Sequence, residues 1–540
     1  MELERQMETR RSLSQFKVNS YKQNFSYFDQ YLECHRQHQV EALLAACKSY
    51  KGQIISPCGT GKTRIQISLH VQEMIDYTKE GKCGIFIIAS HRLSLNRQLL
   101  GELVDVAINC GLPFDVLYVG SYRCDLQKYY TKYFNLGYTT NVSNHRATTD
   151  SKEIEQFVLE AKKLGRHVII ASTYDSFARL KNIGLIDQVT FDEAHNTTQD
   201  DFTANISEVK DNIKKQYYFT ATRKVSDDGG MNNEEFYGKI LFDAFPKQML
   251  SRGEIVCPQM HRIESDGGQT TNTSNLGILV KNTTEALFMH RNKVKELSCS
   301  PDEIGAKLLV GCNSIEEMER IYFHDSIKAL AKNSVQVFAI SSDGCYVNWD
   351  KCGKEDFFIK LNNLSDPEDA LIFNVDMLTE GINLPSITGV MPLRNLGLTK
   401  LIQLMGRSLR LHKTDRKNLY AGNIIPTVYK NYVKPYGWLI IPQHLSTINH
   451  FSEMIATARK FYEVYETTAE QLIVEEKYMP LKPQTLDTII PFPFKDGKDY
   501  ELEHNTSSLI DEINLNNFKN DMDQLNDRDK IEYIKRNMLT

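Results

Sequence analysis

At 540 residues the chain is too long for one compact core, and its length predicts about three or four domains. Hydrophobic residues make up 41% and charged residues 25%, an ordinary globular balance. No apolar run reaches the roughly 18 residues of a membrane span, so no membrane partner is expected. The net charge of −5 is uneven: from Ser446 onward there are 11 Lys+Arg against 18 Asp+Glu, a charge of −7 that leaves +2 for the rest. A near-neutral body can carry a local basic groove, so charge neither requires nor excludes a polyanion partner.

The first 30 residues are charged and polar, an N-terminal extension without the apolar core of a secretory signal. An intracellular, cytoplasmic location is therefore expected. Eleven cysteines are scattered singly. The closest pair, Cys345 and Cys352, has the wrong spacing for zinc ligands, so reduced thiols are expected rather than a metal knuckle.

From 31 to 255, short apolar runs alternate with amphipathic stretches. The runs include Gln53-Ile54-Ile55, Gly84 to Ile88, His167 to Ile170, Gln188 to Phe191 and Tyr217 to Phe219. This alternation predicts a parallel sheet flanked by helices, with functional loops at the carboxyl ends of its strands. A polar stretch from Glu264 to Asn275 reads as a loop. A second alternating series, with strands at Ala306 to Val310, Val335 to Ala339, Leu371 to Phe373 and Trp438 to Ile441, predicts a second α/β lobe over 256–445. Residues 446–540 form an acidic extension expected to be mainly helical, with Ile448, Phe451, Ile455, Phe461, Tyr462 and Tyr465 near helical spacing.

Chemistry concentrates in two strings. Ser56-Pro57-Cys58-Gly59-Thr60-Gly61-Lys62-Thr63 lies between an apolar strand and a helical stretch beginning at Arg64. Ser56 departs from the strict phosphate-loop pattern, which wants glycine there. The distal Gly-Thr-Gly-Lys-Thr is intact, and its context is that of a phosphate cradle: glycines let N–H groups face an anion, and the helix N-terminus adds its dipole. Lys62 is placed to reach β- and γ-phosphates and Thr63 to hold Mg²⁺. The second string, VTFDEAH (189–195), ends a strand on two adjacent carboxylates. Asp192 suits Mg²⁺, and Glu193 suits the orientation and deprotonation of an attacking water.

In order, the chain reads HRQHQVEA (35–42), SPCGTGKT (56–63), ASHRLSLNRQ (89–98), ASTYDS (171–176), FDEAH (191–195), FTATR (219–223), LLVGCNSIEEM (308–318), NVDMLTEGINLPSI (374–387) and QLMGRSLR (403–410). Their shared order resembles the DEAH/DExH group of superfamily 2 helicases over about 31–445. The last string differs from the QRxGRxGR of RNA-remodelling DEAH enzymes and looks closer to the DNA motors related to restriction-enzyme translocating subunits. The EGIN segment has Asn383 where many of that group carry aspartate.

The resemblance implies two tandem RecA-like lobes of α/β class sharing one ATP site, with ATP and Mg²⁺ as cofactors. It assigns adenine recognition to Gln39, nucleotide binding also to Gly381, and coupling between ATP and nucleic acid to His195, Thr220 and Thr222. It assigns Gln403, Arg407 and Arg410 to catalysis, the two arginines as fingers expected at i, i+3 on one helix. Nucleic-acid backbone contacts fall to Arg92, Ser172, Thr173, Ser314 and Thr379.

The expected function is an ATP-dependent helicase that translocates and separates strands, with DNA favoured over RNA. The alternatives are a duplex translocase that opens nothing, an RNA helicase, or a nucleotide-gated scaffold. Intact Lys62, Asp192, Glu193, Arg407 and Arg410 argue against the scaffold. A strand-separating wedge has candidates only in 343–370 and in the tail after 446. A fused nuclease is not expected, since Asp499-Tyr500-Glu501-Leu502-Glu503 lacks the lysine of a nuclease cluster.

Overall fold

The computed structural model describes residues 35–120, 142–226, 229–263, 276–375, 387–394, 396–442 and, beyond these, 457, 458, 460 and 461. The N-terminal extension, the Glu264 to Asn275 stretch, Thr379, Gly381, Asn383 and nearly all of the acidic extension lie outside the described residues.

Among the described residues, two eight-stranded sheets organise the fold. The first is built from β1 (Lys51–Ile55), β2 (Ile85–Ser90), β3 (Phe114–Val119), β4 (Val142–Thr148), β5 (His167–Thr173), β6 (Gln188–Asp192), β7 (Gln216–Thr220) and β8 (Ile240–Asp243). Their spatial order is β4-β3-β5-β2-β6-β7-β1-β8, and every neighbouring pair is parallel. Flanking helices include α1 (Gln37–Cys47), α2 (Lys62–Lys79), α3 (Leu93–Asn109), α4 (Ser151–Lys163) and α5 (Asp200–Ser207).

The near-continuous apolar runs follow from burial on both faces. With side chains alternating along a strand, Phe86 and Ile88 of β2 enter one core, with α1, α2 and α3. Ile85, Ile87 and Ala89 enter the other, with α4.

The second sheet has the order β13-β12-β11-β14-β10-β15-β16-β9. Its strands are β9 (Cys257–Ile263), β10 (Lys307–Gly311), β11 (Gln336–Ile340), β12 (Cys345–Val347), β13 (Asp350–Cys352), β14 (Ala370–Asn374), β15 (Gly389–Pro392) and β16 (Tyr436–Pro442). The same alternation sends Leu309 and Ile372 to one core and Leu308, Val310, Leu371 and Phe373 to the other. A short helix, α6 (Pro246–Ser251), lies between the sheets in sequence, and helices of the second lobe include α7 (Leu276–Leu297), α8 (Ile315–Tyr322), α9 (Lys354–Asn362), α10 (Leu398–Ser408) and α11 (Lys413–Tyr420). Met249 and Leu250 of α6, with Ile255 and Val256, pack into the second lobe's core, as do Ala458 and Phe461.

One edge of the second sheet departs from the parallel pattern. The β12–β13 pair is an antiparallel hairpin, with Cys345 opposite Cys352. Its two turn residues, Asn348 (φ 48°) and Trp349 (φ 73°), are left-handed, the backbone that a two-residue hairpin turn needs to match strand twist. Trp349 N–H donates to Tyr322 Oη at 2.7 Å, fixing the turn. Asn348 sits beside the start of β11: its N–H donates to Val337 O, and its side-chain amide donates to Gln336 Oε1. The hairpin tip therefore lies at the amino end of the sheet.

Candidate functional site

In a parallel sheet the strand carboxyl ends lie on one edge, and the sequence strings collect there. The loop after β1 turns through left-handed glycines, Gly59 (φ 87°) and Gly61 (φ 88°), before α2 begins at Lys62. The left-handed backbone at Gly61 favours glycine, and a Cβ there would lie 2.3 Å from Gln39 Nε2 and displace that amide from the loop. Ser56 has a bracing role that the strict pattern does not anticipate. Thr60 Oγ1 donates to Pro57 O at 2.6 Å, which leaves Ser56 Oγ to donate to Thr60 Oγ1, also at 2.6 Å. Lys62 Nζ donates to Ser56 O at 3.1 Å, across the loop.

The base of the loop is held by α1 and the residue before it. Gln39 Nε2 donates to Thr60 O at 2.9 Å, and Gln39 Oε1 accepts from the Arg36 N–H. Arg36 reaches Gly59 O at 3.0 Å and Glu254 Oε2 at 3.2 Å, and His38 Nε2 lies 2.9 Å from Thr60 O.

Asp192 ends β6 and is buried, as is Glu193. Glu193 holds a left-handed backbone (φ 51°), a conformation costly for a side chain of its size and concentrated at functional sites. Burial raises the Asp192 pKa to about 7, with the Glu193 charge second; Lys62 and the Gln66 hydrogen bond oppose the shift. Gln66 Nε2 donates to Asp192 Oδ1 at 2.6 Å. Glu193 Oε2 makes no hydrogen bond and lies 3.6 Å from His195 Nδ1. Burial works against the Lys62 charge, but neighbouring anionic groups, Glu193 and Asp192 among them, outweigh it and raise its pKa. Two buried carboxylates beside a buried ammonium and a helix N-terminus form a donor set that fits a divalent cation bound with a polyphosphate.

The second lobe closes on this edge. Its helix α10 (Leu398–Ser408) carries Gln403, Gly406 and Arg407. Gly406 lies against the phosphate loop: a Cβ there would come within 2.1 Å of Cys58 Cβ. Gln403 Nε2 lies 3.2 Å from His195 Nε2, spanning the cleft. If Gln403 donates, His195 carries its proton on Nδ1, which meets Thr220 Oγ1 at 3.0 Å. Thr220 Oγ1 then donates to Thr222 O at 2.6 Å. A continuous hydrogen-bonded path thus joins Gln403, His195, Thr220 and Thr222.

Arg407 and Arg410 do not share a helix as expected. The helix ends at Ser408 and is capped by Leu409, so Arg410 follows it. β16 packs closely where the helix ends: a Cβ on Gly437 would meet Ser408 O at 2.6 Å. Leaving the helix brings Arg410 onto the loop glycine, with its Cγ 3.2 Å from a Cβ built on Gly59. Burial pushes the Arg410 pKa down to about 9, with repulsion from Arg407 second.

The residues assigned to nucleic-acid contact divide. Arg92 precedes α3 at the end of β2, and its Nε donates to His91 Nε2 at 3.1 Å. Ser314 is exposed after β10, but its hydroxyl caps α8 (Ile315–Tyr322) by accepting from Glu317 N–H. Ser172 and Thr173 are buried. The Ser172 hydroxyl donates to Thr173 O, and its own carbonyl accepts from Asn96. The spacing of the strings did not reveal Arg36, Gln66, Asn96 or Glu254; only Gln66, four residues after Lys62 on one helix face, left a readable signal.

Two α/β lobes meeting at their carboxyl edges, with a phosphate loop and acidic pair facing arginines, give the chain a two-lobe RecA-like fold. Residues 33–225 match the model of the family described as Type III restriction enzyme, res subunit. No curated protein matches the chain. Among solved structures, the ATP-dependent Type ISP restriction-modification enzyme LlaBIII bound to DNA is similar at 18% identity and a TM-score of 0.54, over 80% of this chain and 29% of that one. A fragment of a putative HsdR subunit of a type I restriction enzyme from Vibrio vulnificus YJ016 matches at 15% identity and TM-score 0.45, over 78% and 66% of the two chains. S. cerevisiae Dbp5 bound to RNA and ADP BeF3 matches at 14% identity and TM-score 0.47, over 79% and 88%. The chain thus spans less than a third of the LlaBIII enzyme. No helix among the described residues is long and apolar enough to cross a membrane.

Proposed function

We propose that this chain is a nucleic-acid-stimulated ATPase that converts hydrolysis at the cleft into movement along DNA. The carrying observation is the meeting of Cys58 in the phosphate loop with Gly406 in α10, which brings Lys62, Asp192 and Glu193 of one lobe to Arg407 and Arg410 of the other. The similar restriction-modification enzyme is described as ATP-dependent and DNA-bound, which supports ATP as fuel and DNA as track.

In this reading Gln39 reads the adenine edge and Lys62 grips the phosphates. Ser56, Pro57, Cys58, Gly59, Thr60 and Gly61 shape the cradle, and Gly381 adds a nucleotide contact. Thr63 and Asp192 would hold Mg²⁺, which neutralises charge on the transferring phosphoryl group. Glu193 takes the proton of the attacking water. Arg407 and Arg410 face the charge that develops on the phosphate. The Gln403–His195–Thr220–Thr222 path carries the cleft's state to the strand ends where Arg92 and Ser314 meet the nucleic-acid backbone, and Thr379 is assigned a further backbone contact. Ser172 and Thr173 support that surface from beneath.

Movement along a duplex without separating it is the second reading. It is supported by the β12–β13 hairpin, whose tip lies at the amino end of the sheet, away from the edge carrying Arg92 and Ser314. ATP hydrolysis by the purified chain, measured without polynucleotide and with single-stranded DNA, duplex DNA and RNA, tests the proposal. Stimulation by DNA supports a DNA motor, and a paired strand-displacement assay separates opening from tracking. Equal, unstimulated turnover in all four conditions would overturn the motor reading.

A further inference from the structure

Lys434 lies between the Asp415 helix and β16, in none of the strings that carry the site. It is almost completely buried. Its ammonium donates to Ile387 O at 2.6 Å and to Arg410 O at 2.7 Å. Those two acceptors are the final residues of two separate strings, NVDMLTEGINLPSI (374–387) and QLMGRSLR (403–410). The Lys434 backbone is itself fixed. Asp415, fully buried in α11 (Lys413–Tyr420), accepts from Val433 N–H at 2.7 Å and from Lys434 N–H at 2.8 Å.

We infer that Lys434 is a positioning residue for the arginine side of the ATP site: by holding the Arg410 carbonyl to the end of the neighbouring string, it sets the backbone from which the Arg410 guanidinium reaches the phosphate loop. The inference rests on the proposed role of Arg410.

Three observations converge on it. Arg410 stands beyond the end of α10, so helical hydrogen bonding does not fix its carbonyl. Its side chain passes close over Gly59, so a small backbone shift translates directly into the cleft. Lys434 also sits where an ammonium is costly. Burial pushes its pKa down to about 7, and Arg410 adds repulsion against the weaker help of Asp415. A hydrophobic side chain of similar length would avoid that cost, but it could not hold two carbonyls in register.

The test is a double-mutant cycle on the full chain, reading kcat and KM for ATP with saturating polynucleotide. Lys434→Met should lower kcat on the order of 100-fold, the penalty of displacing a catalytic group by about 1 Å, with KM changed less than about twofold. In an Arg410→Ala background the same change should cost no more than about twofold, the margin within which independent effects are resolved. A Lys434→Met chain with parent-like kcat would overturn the inference, as would a full penalty persisting without the Arg410 side chain. If Lys434→Met does not fold, Lys434→Gln, which keeps a donor, is run through the same cycle; failure of both to fold assigns Lys434 a purely structural role and overturns the inference. Arg410→Ala read alone separates the two ideas: parent-like turnover there removes the finger role itself, whatever Lys434 does.

Discussion

The two lobes share an architecture but reach the cleft by different means. The first lobe shapes its site mainly by local backbone geometry: two left-handed glycines, a left-handed Glu193 and a loop braced by Ser56 and Thr60, with Arg36 and Gln39 holding the base of the loop from farther along the chain. The second lobe holds its site by long-range tethers. Arg407 depends on the close approach of Gly406 to Cys58, and Arg410 leaves its helix and is held through Lys434 and Asp415. Local geometry defines a binding cradle before any partner arrives. Tethers of the second kind let a group arrive with lobe closure, which suits residues needed in the transition state more than in binding.

That contrast is broken most directly at Arg407. Arg407→Ala should reduce ATP turnover on the order of 1,000-fold, as loss of an arginine finger does, while the affinity for a non-hydrolysable ATP analogue stays near that of the parent. Equilibrium binding beside steady-state turnover checks it. A matching loss of analogue affinity would mean that the second lobe grips the ground state too, and the division between lobes would collapse. Glu193→Gln probes the other side. Removing the base should cost roughly 100- to 1,000-fold in turnover and leave ATP bound long enough to trap by rapid filtration. Turnover like the parent would remove Glu193 from the water-activating role.

Gly406→Val sharpens the comparison at the contact itself. The new Cβ would collide with Cys58 Cβ, so the lobes must part while each core stays intact. Turnover should fall on the order of tenfold to 100-fold, since small misplacements across a cleft carry that penalty. Small-angle scattering should show a wider particle, and the melting temperature should move little. Unchanged scattering with lost activity would place the defect within one lobe.

The same contrast explains what could be read from the sequence. The central strands β1, β2, β5, β6 and β7 announce themselves as apolar runs ending in small or polar residues, and the phosphate loop and acidic pair follow directly on two of them. The edges were not legible. β3 begins Phe-Asp-Val, and Asp115 is paired with Arg166 rather than exposed; β4 reads VSNHRAT and β8 has only four residues. The β12–β13 hairpin was missed because its turn is Asn-Trp, where the usual signal is Asn-Gly. Within the site, residues acting through local backbone were found. Arg36, Glu254, Asp415 and Lys434 act across tens to hundreds of positions, and no short spacing encodes them. The expectation that Arg407 and Arg410 share a helix face failed because the helix stops at Ser408, where Gly437, far along the chain, lies against the Ser408 carbonyl.

Behind the sheets the lobes are alike, and this gives the smallest expected effect. His70 in the first lobe and His290 in the second are fully buried, each on a threonine. Gln188 Nε2 donates to His70 Nδ1, so His70 Nε2–H donates to Thr190 Oγ1 at 2.9 Å. His290 Nε2 meets Thr388 Oγ1 at 2.7 Å, and its Nδ1 makes no hydrogen bond. Burial pushes both pKa values down to about 3 from 6.5. With the folded pKa below the unfolded one, protons bind the unfolded chain preferentially. Stability is then full above pH 6.5 and is lost as pH falls from 6.5 toward 3, at up to about 1.4 kcal/mol per pH unit for each histidine. His70→Gln should flatten the pH dependence of hydrogen-exchange protection in the first lobe alone, and His290→Gln in the second alone, measured between pH 6.5 and 5. A slope that survives both substitutions would mean other groups take up the acid-linked protons; a change in both lobes from either substitution would show that the two cores unfold as one unit.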